Sequence, residues 1–171
     1  MLQGTRIHTV EGFINVENLV GQTIDVFGMG DQGQLEIVPA RVELDREDQV
    51  RILQIFNGRQ NIIIHPDDFV YILHQGWKRV NDLEIGDRFV GFNRKMNNEQ
   101  QAYIGLTGTK YLPEHRFVAG HYWDIAGLDI HHLDGNHLNN IKSNLQPLTH
   151  SEHSRLTNIG HKDWNIQMIS I

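Results

Sequence analysis

The sequence predicts an α+β protein, and three observations carry that prediction. Short β-prone runs follow one another at close spacing as far as residue 92. A polar stretch, residues 93–104, then interrupts them. Beyond it a histidine-rich segment holds two strand-like runs and, from Thr149, the signature of a helix start. The expected organisation is an all-β domain over residues 1–92, a linker over 93–104 and a smaller module over 105–171.

In the first region, Thr5-Arg6-Ile7-His8-Thr9-Val10 is a strand closed by Glu11-Gly12, and Ile24-Asp25-Val26-Phe27-Gly28 alternates before a turn marked by Gly28, Gly30 and Gly33. Ile37-Val38 through Val42 continue the pattern. Val50 to Phe56 ends in Asn57-Gly58, the strongest two-residue hairpin signal. Asn61 to Ile64 and Phe69 to Leu73 lie on either side of a Pro66 turn. Gly76 to Val80, Leu83 and Gly86 to Phe92 complete the set, which implies a β sandwich or barrel-like fold. In the second region Asp129-Ile130-His131-His132 reads as a strand end and Asp134-Gly135-Asn136 as a turn. Leu145-Gln146-Pro147-Leu148 reads as a short edge strand, limited by Pro147. Thr149-His150-Ser151-Glu152 fits the capping box, in which a hydroxyl is followed three places later by Glu.

Composition bounds the function. Hydrophobic residues are 39% and charged ones 21%, a globular rather than disordered mixture. No apolar run is long enough to span a membrane, and the first residues lack a signal-peptide pattern. With no cysteine there is no disulfide, thiolate metal site or cysteine nucleophile, which sets the cytoplasm as the expected compartment. The net charge of -6 argues against binding nucleic acid through bulk positive charge. Any DNA contact must come from local Arg and Lys, helped by a cation. Arg51 and Arg59 beside the Asn57-Gly58 tip, and Lys78-Arg79, form a candidate basic edge.

Eight of the 11 histidines lie between His115 and His161, which makes that segment the place for metal or acid–base chemistry. Adjacent strand residues point to opposite faces, so His131 and His132 take different roles. His153, in the first turn of the capped helix, can reach back toward the strands. Two imidazoles from strand and helix can bind a cation with its other positions open to water and phosphate. Asp129 and Asp134 are too scattered for a bridging carboxylate cluster. His137 and His150 read as solvated side chains, and His121 and His161 receive no role. Leu145, Leu148 and Leu156 read as core, Trp123 and Trp164 as packing residues.

Glu114-His115-Arg116-Phe117-Val118, then His131-His132-Leu133-Asp134-Gly135-Asn136, Asn139-Asn140, Asn144-Leu145 and His153 resemble the HNH homing endonucleases of phages and group I introns. The resemblance covers roughly Tyr111 to Leu156 and implies the ββα-metal nuclease fold. It implies His132 as general base, Asn144 as the residue that holds the loop and orients His132, and His131 and His153 as ligands of one divalent metal ion. Mg2+ is the first expectation for that ion, with Mn2+ or another transition metal as alternatives. By the same resemblance Arg116 becomes a phosphate contact; Asn136 and Arg155 are further candidate DNA contacts, Arg155 reading equally well as an exposed side chain. The implied activity is hydrolysis of phosphodiester bonds in double-stranded DNA.

A second resemblance covers residues 1–92. Leu2-x-Gly4-Thr5-Arg6-Ile7-x-Thr9-x-Glu11-Gly12 and Leu19-Val20-Gly21, with His65-Pro66, Gly76-Trp77 and Leu83-x-x-Gly86-Asp87 downstream, are similar to the Hint domains of inteins and hedgehog proteins. The departures are Met1 at the splicing nucleophile's position, Ile62 where a threonine precedes the block histidine, and a chain end without a His-Asn pair. A thioether cannot attack a peptide carbonyl. The region therefore reads as a splicing-inactive scaffold, and His65 as a structural residue. The readings kept beside the endonuclease are an intein-derived protein-processing fragment and an inactive DNA-binding protein.

Overall fold

The computed structural model describes residues 4–43, 51–55, 60–98 and 100–157. The Asn57-Gly58 tip, Arg59, His161, Trp164 and the segment 165–171 lie outside the described residues. The chain divides into two compact units, one of residues 1–94 with 104–111 and one of residues 95–103 with 112–171.

In the first unit the expected strands form as β1 (Arg6–Thr9), β3 (Thr23–Met29) and β4 (Leu35–Arg41), and a strand the sequence reading did not include, β2 (Gly12–Asn15), joins them in the order β2-β1-β3-β4. Alternation decides which face is buried. Ile7, Ile14 and Ile24 pack on Val16, Leu19 and Val42, which are buried at one end of this sheet's connections. β5 (Arg51–Ile55) pairs with β6 (Gln60–Ile64), and β7 (Phe69–Ile72) with β8 (Gly76–Arg79), both antiparallel. The Pro66 turn is closed by His65, whose Nδ1 accepts from the Asp67 amide while its own amide donates to Asp68. That is a structural use of His65.

Two expectations change. Gly86 to Gly91 is not a strand: it is a loop touching the β7 hairpin through a single bridge, Ile72 to Phe89, and Phe92 belongs to the strand that follows. The segment expected to be a linker carries strands, β9 (Phe92–Met96) and β10 (Ala102–Leu106), with β11 (Leu112–Pro113) completing a sheet of order β11-β10-β9. Asn97 makes the turn, its side-chain oxygen accepting from the Gln101 amide at 2.8 Å. The polar composition belongs to β9, which is almost wholly exposed, whereas β10 is buried around Ile104.

The second unit contains a helix with weak periodicity, α1 (Glu114–Tyr122). Pro113 precedes it with a fixed φ, Glu114 supplies the acidic first turn, and Trp123 leaves it in extended conformation. Val118 and Ala119 are fully buried on its inner face. β12 (Asp129–His132) pairs antiparallel with β13 (Leu145–Leu148), His132 opposite Leu145 and His131 opposite Gln146. A second helix, α2 (150–157), follows β13. It starts at the expected capping box: Thr149 N donates to Glu152 at 2.9 Å and Glu152 N donates to Thr149 Oγ1 at 3.3 Å. Leu145 is core as expected, but Leu148 is half-buried and Leu156 is 44% exposed. Sheet and helix thus occur in one chain, an α+β composition, and no helix among the described residues is long and apolar enough to cross a membrane.

Candidate active site in the second unit

β12 separates its two histidines as the strand pleat requires. His131 is half-buried and His132 is buried, alternating with half-buried Asp129 and buried Ile130. His131 faces His153 of α2, ring centroids 5.4 Å apart. Burial first, then the neighbouring His153, His132 and His137, hold the His131 imidazole below its ordinary pKa, so it stands neutral with a lone pair to give. Asp129, on the same side, sets its carboxylate 3.0 Å from His150 Nδ1 and 3.5 Å from His153 Nδ1.

His132 lies among different partners. Its Nε2 shares a 2.7 Å hydrogen bond with Asn140 Oδ1, and Asn140 Nδ2 donates to Glu114 Oε2, also at 2.7 Å. His137 stacks on the His132 ring at 5.2 Å and His115 meets it edge-on at 5.6 Å. Burial, with the charges of His132 and Arg116 beside it, pushes the His115 imidazole down to about 4.

The loop between β12 and β13 is built on Asn144. Its Oδ1 accepts from the Asp134 amide at 3.1 Å, and its Nδ2 donates to Asp134 Oδ1 at 2.9 Å and to the Asn139 carbonyl at 2.7 Å. Asp134 also accepts from Asn139 Nδ2 at 2.6 Å and from the Asn136 amide at 2.8 Å. These bonds, led by that from Asn139, hold its carboxyl down at about 2. Gly135, at φ 71, makes the turn that places Asp134 back against Asn144. Lys142 Nζ sits over the Tyr122 ring at 3.8 Å, joining the end of the loop to α1.

The structure therefore brings His131 to His153, and places Asn144 as the hub of the loop that follows His132. The side chain bonded to the His132 ring is that of Asn140, not Asn144. Arg116 differs from expectation in its partners: its guanidinium donates to the Leu128 carbonyl at 3.1 Å and to that of Ile125 at 3.5 Å. It pins the turn before β12 and keeps further N–H donors directed elsewhere. Asn136 is exposed, its side-chain oxygen accepting from the Leu138 amide, and Arg155 is exposed on α2. His137 and His150, read as solvated, are exposed yet engaged, His137 with His132 and His150 with Asp129. Trp123 is 36% exposed beside Tyr122. Sequence reasoning named Glu114, His115 and Asn140 as motif residues without giving them a role, and set Asp129 aside as too scattered. The Asn139-Asn140 pair was visible as a motif letter, but nothing local told which of the two turns inward.

Among the described residues no group of three or more His, Asp or Glu side chains is arranged to hold a metal. The two-imidazole pair His131–His153 is nonetheless a fitting donor set, because both are side chains that ligate when neutral. The model of the HNH endonuclease family matches residues 115–155, which run from the second residue of α1 through β12, the loop and β13 to most of α2. That match supports an HNH nuclease, a hydrolase of a family that acts on DNA. It does not reach residues 1–92. No curated protein and no solved structure matches the chain.

Proposed function

We propose that this chain is a metal-dependent DNA endonuclease of the homing type, hydrolysing phosphodiester bonds of double-stranded DNA with His132 as general base. The observation that carries the reading is the coincidence of the family match with one assembled cluster: a buried histidine held by a hydrogen bond, beside a facing pair of histidines. His132 takes the proton of the attacking water as its oxygen bonds to phosphorus and the P–O3′ bond breaks. Asn144 keeps the loop after His132 closed through three side-chain bonds. Arg116, Asn136 and Arg155 are the proposed DNA contacts, Arg116 with the donors its carbonyl partners leave over.

His131 and His153 would hold the cation. With Nδ1 of His153 toward Asp129, Nε2 is the nitrogen that side chain has to offer. A bound divalent ion would supply positive charge to the scissile phosphate and the departing oxygen. Two imidazoles suit a transition-metal ion better than Mg2+, so the donor set moves the expectation toward Mn2+ or a later metal. The Hint-like identity of residues 1–92, and a division at 92 and 105, remain proposals resting on the sequence.

Incubation of purified protein with supercoiled plasmid tests the reading. Cleavage should stop with EDTA and return with an added divalent ion, Mn2+ restoring it at lower concentration than Mg2+. His131→Ala and His153→Ala should each raise the metal concentration needed. Cleavage that persists through exhaustive chelation, or no cleavage with any divalent ion, defeats the proposal.

A further inference from the structure

Glu114 and Asn140 are both buried and polar, and neither has been given a task beyond packing. A buried carboxylate or amide is unfavourable unless its hydrogen-bonding capacity is met. Here the two meet each other, and Asn140 spends its other end on the His132 ring. The chemistry of the three groups then fixes a direction. Asn140 Nδ2 donates to Glu114 Oε2, so its Oδ1 is the atom that faces His132. An amide oxygen only accepts, so His132 Nε2 must carry the hydrogen. A neutral imidazole has one N–H, which leaves the lone pair on Nδ1. His137 stacked on the ring and His115 at its edge keep the ring plane from turning.

We propose that Glu114 and Asn140 are positioning residues that set the tautomer of His132 and present its Nδ1 as the base. The inference rests on His132 being the general base of the proposed nuclease. Glu114, at the start of α1, lies 26 positions from Asn140, so the helix before the nuclease strands takes part in tuning the base.

The test uses the 15N-labelled full chain and reads the protonated ring nitrogen from long-range 15N–1H correlations, above the pH range where histidine titrates. Wild-type His132 should be the Nε2–H tautomer. In Glu114→Gln the side chain both donates and accepts, and the orientation of Asn140 is no longer imposed. His132 should then populate Nδ1–H, and kcat should fall about 10- to 100-fold with KM for DNA and the metal requirement unchanged. In the double variant Glu114→Gln/Asn140→Asp, the introduced amide can donate to the introduced carboxylate, which again only accepts from His132. That variant should regain the Nε2–H tautomer and most of the lost rate, which a purely structural role would not give. An Nδ1–H tautomer in wild type overturns the proposal. So does an unchanged tautomer in Glu114→Gln, or a folded double variant that does not regain Nε2–H. If wild type cuts no DNA, the nuclease reading fails by itself, and the tautomer result still decides the relay.

Discussion

His115 shows what a single buried imidazole does to the whole fold. Unfolded, it titrates near 6.5; folded, it is pushed down to about 4 by burial and by the charges of His132 and Arg116. Between those values the unfolded chain binds a proton that the folded chain refuses, so acid favours unfolding. This contribution is fully present above 6.5 and is lost progressively as pH falls toward 4. Denaturant midpoints measured across that window should drop with pH, and His115→Phe should flatten the slope; an equal slope in the variant would count against this role. Arg116 makes a second residue-scale case. Its bonds to the Leu128 and Ile125 carbonyls predict that Arg116→Ala lowers Tm, whatever it does to DNA affinity. An unchanged Tm would return it to a pure phosphate contact. The sequence showed both residues as motif letters. It could not show their partners, because burial and the path of residues 125–128 are tertiary facts.

The elements differ in how legible they were, and the reason is range. The capping box at Thr149 is a contact three residues apart, so it was readable and is present. The β12 and β13 strands were readable for the same reason, as short runs bounded by turn residues. Helix α1 was not: one of its three buried residues is Glu114, a polar side chain that meets the distant Asn140. Pro113 with Glu114 behind it was the local signal available. The β9–β10 hairpin was hidden by the opposite effect, an exposed strand with no apolar alternation to reveal it. The loop between β12 and β13 yields a prediction at this scale. Asn144 is buried and serves two backbone partners and one carboxylate, so Asn144→Ala should cost about 1–3 kcal/mol and speed exchange of the Asp134 amide. Full protection of that amide in the variant would contradict the hub assignment. Asp134, held at about 2 against its ordinary 3.8, favours the folded loop above 3.8 and loses that effect as pH falls toward 2.

Taken as a molecule, the chain carries net charge -6 and must place its positive groups well if it is to hold DNA. The basic edge expected around Lys78-Arg79 is largely spent internally. Lys78 pairs with Asp87 at 2.9 Å, and Arg79 lies 3.5 Å from Asp67 and over the Phe69 ring. Lys78→Gln should therefore lower stability while leaving the salt dependence of DNA binding unchanged; a shallower salt slope would show that this edge meets phosphate after all. The β-rich composition of the first region was readable in the sequence, its sorting into one four-stranded sheet and separate hairpins was not, since strand pairing is non-local. What was most legible was the segment that the HNH endonuclease family model matches, because its motif residues are closely spaced along two strands and a helix. The most direct measurement of the central claim compares wild type with His132→Ala on supercoiled plasmid at saturating divalent ion, after circular dichroism and metal titration show both to be folded and equally loaded. Loss of a positioned base predicts a rate lower by about 10²–10⁴. A folded, metal-binding His132→Ala protein that cuts at the wild-type rate would contradict it.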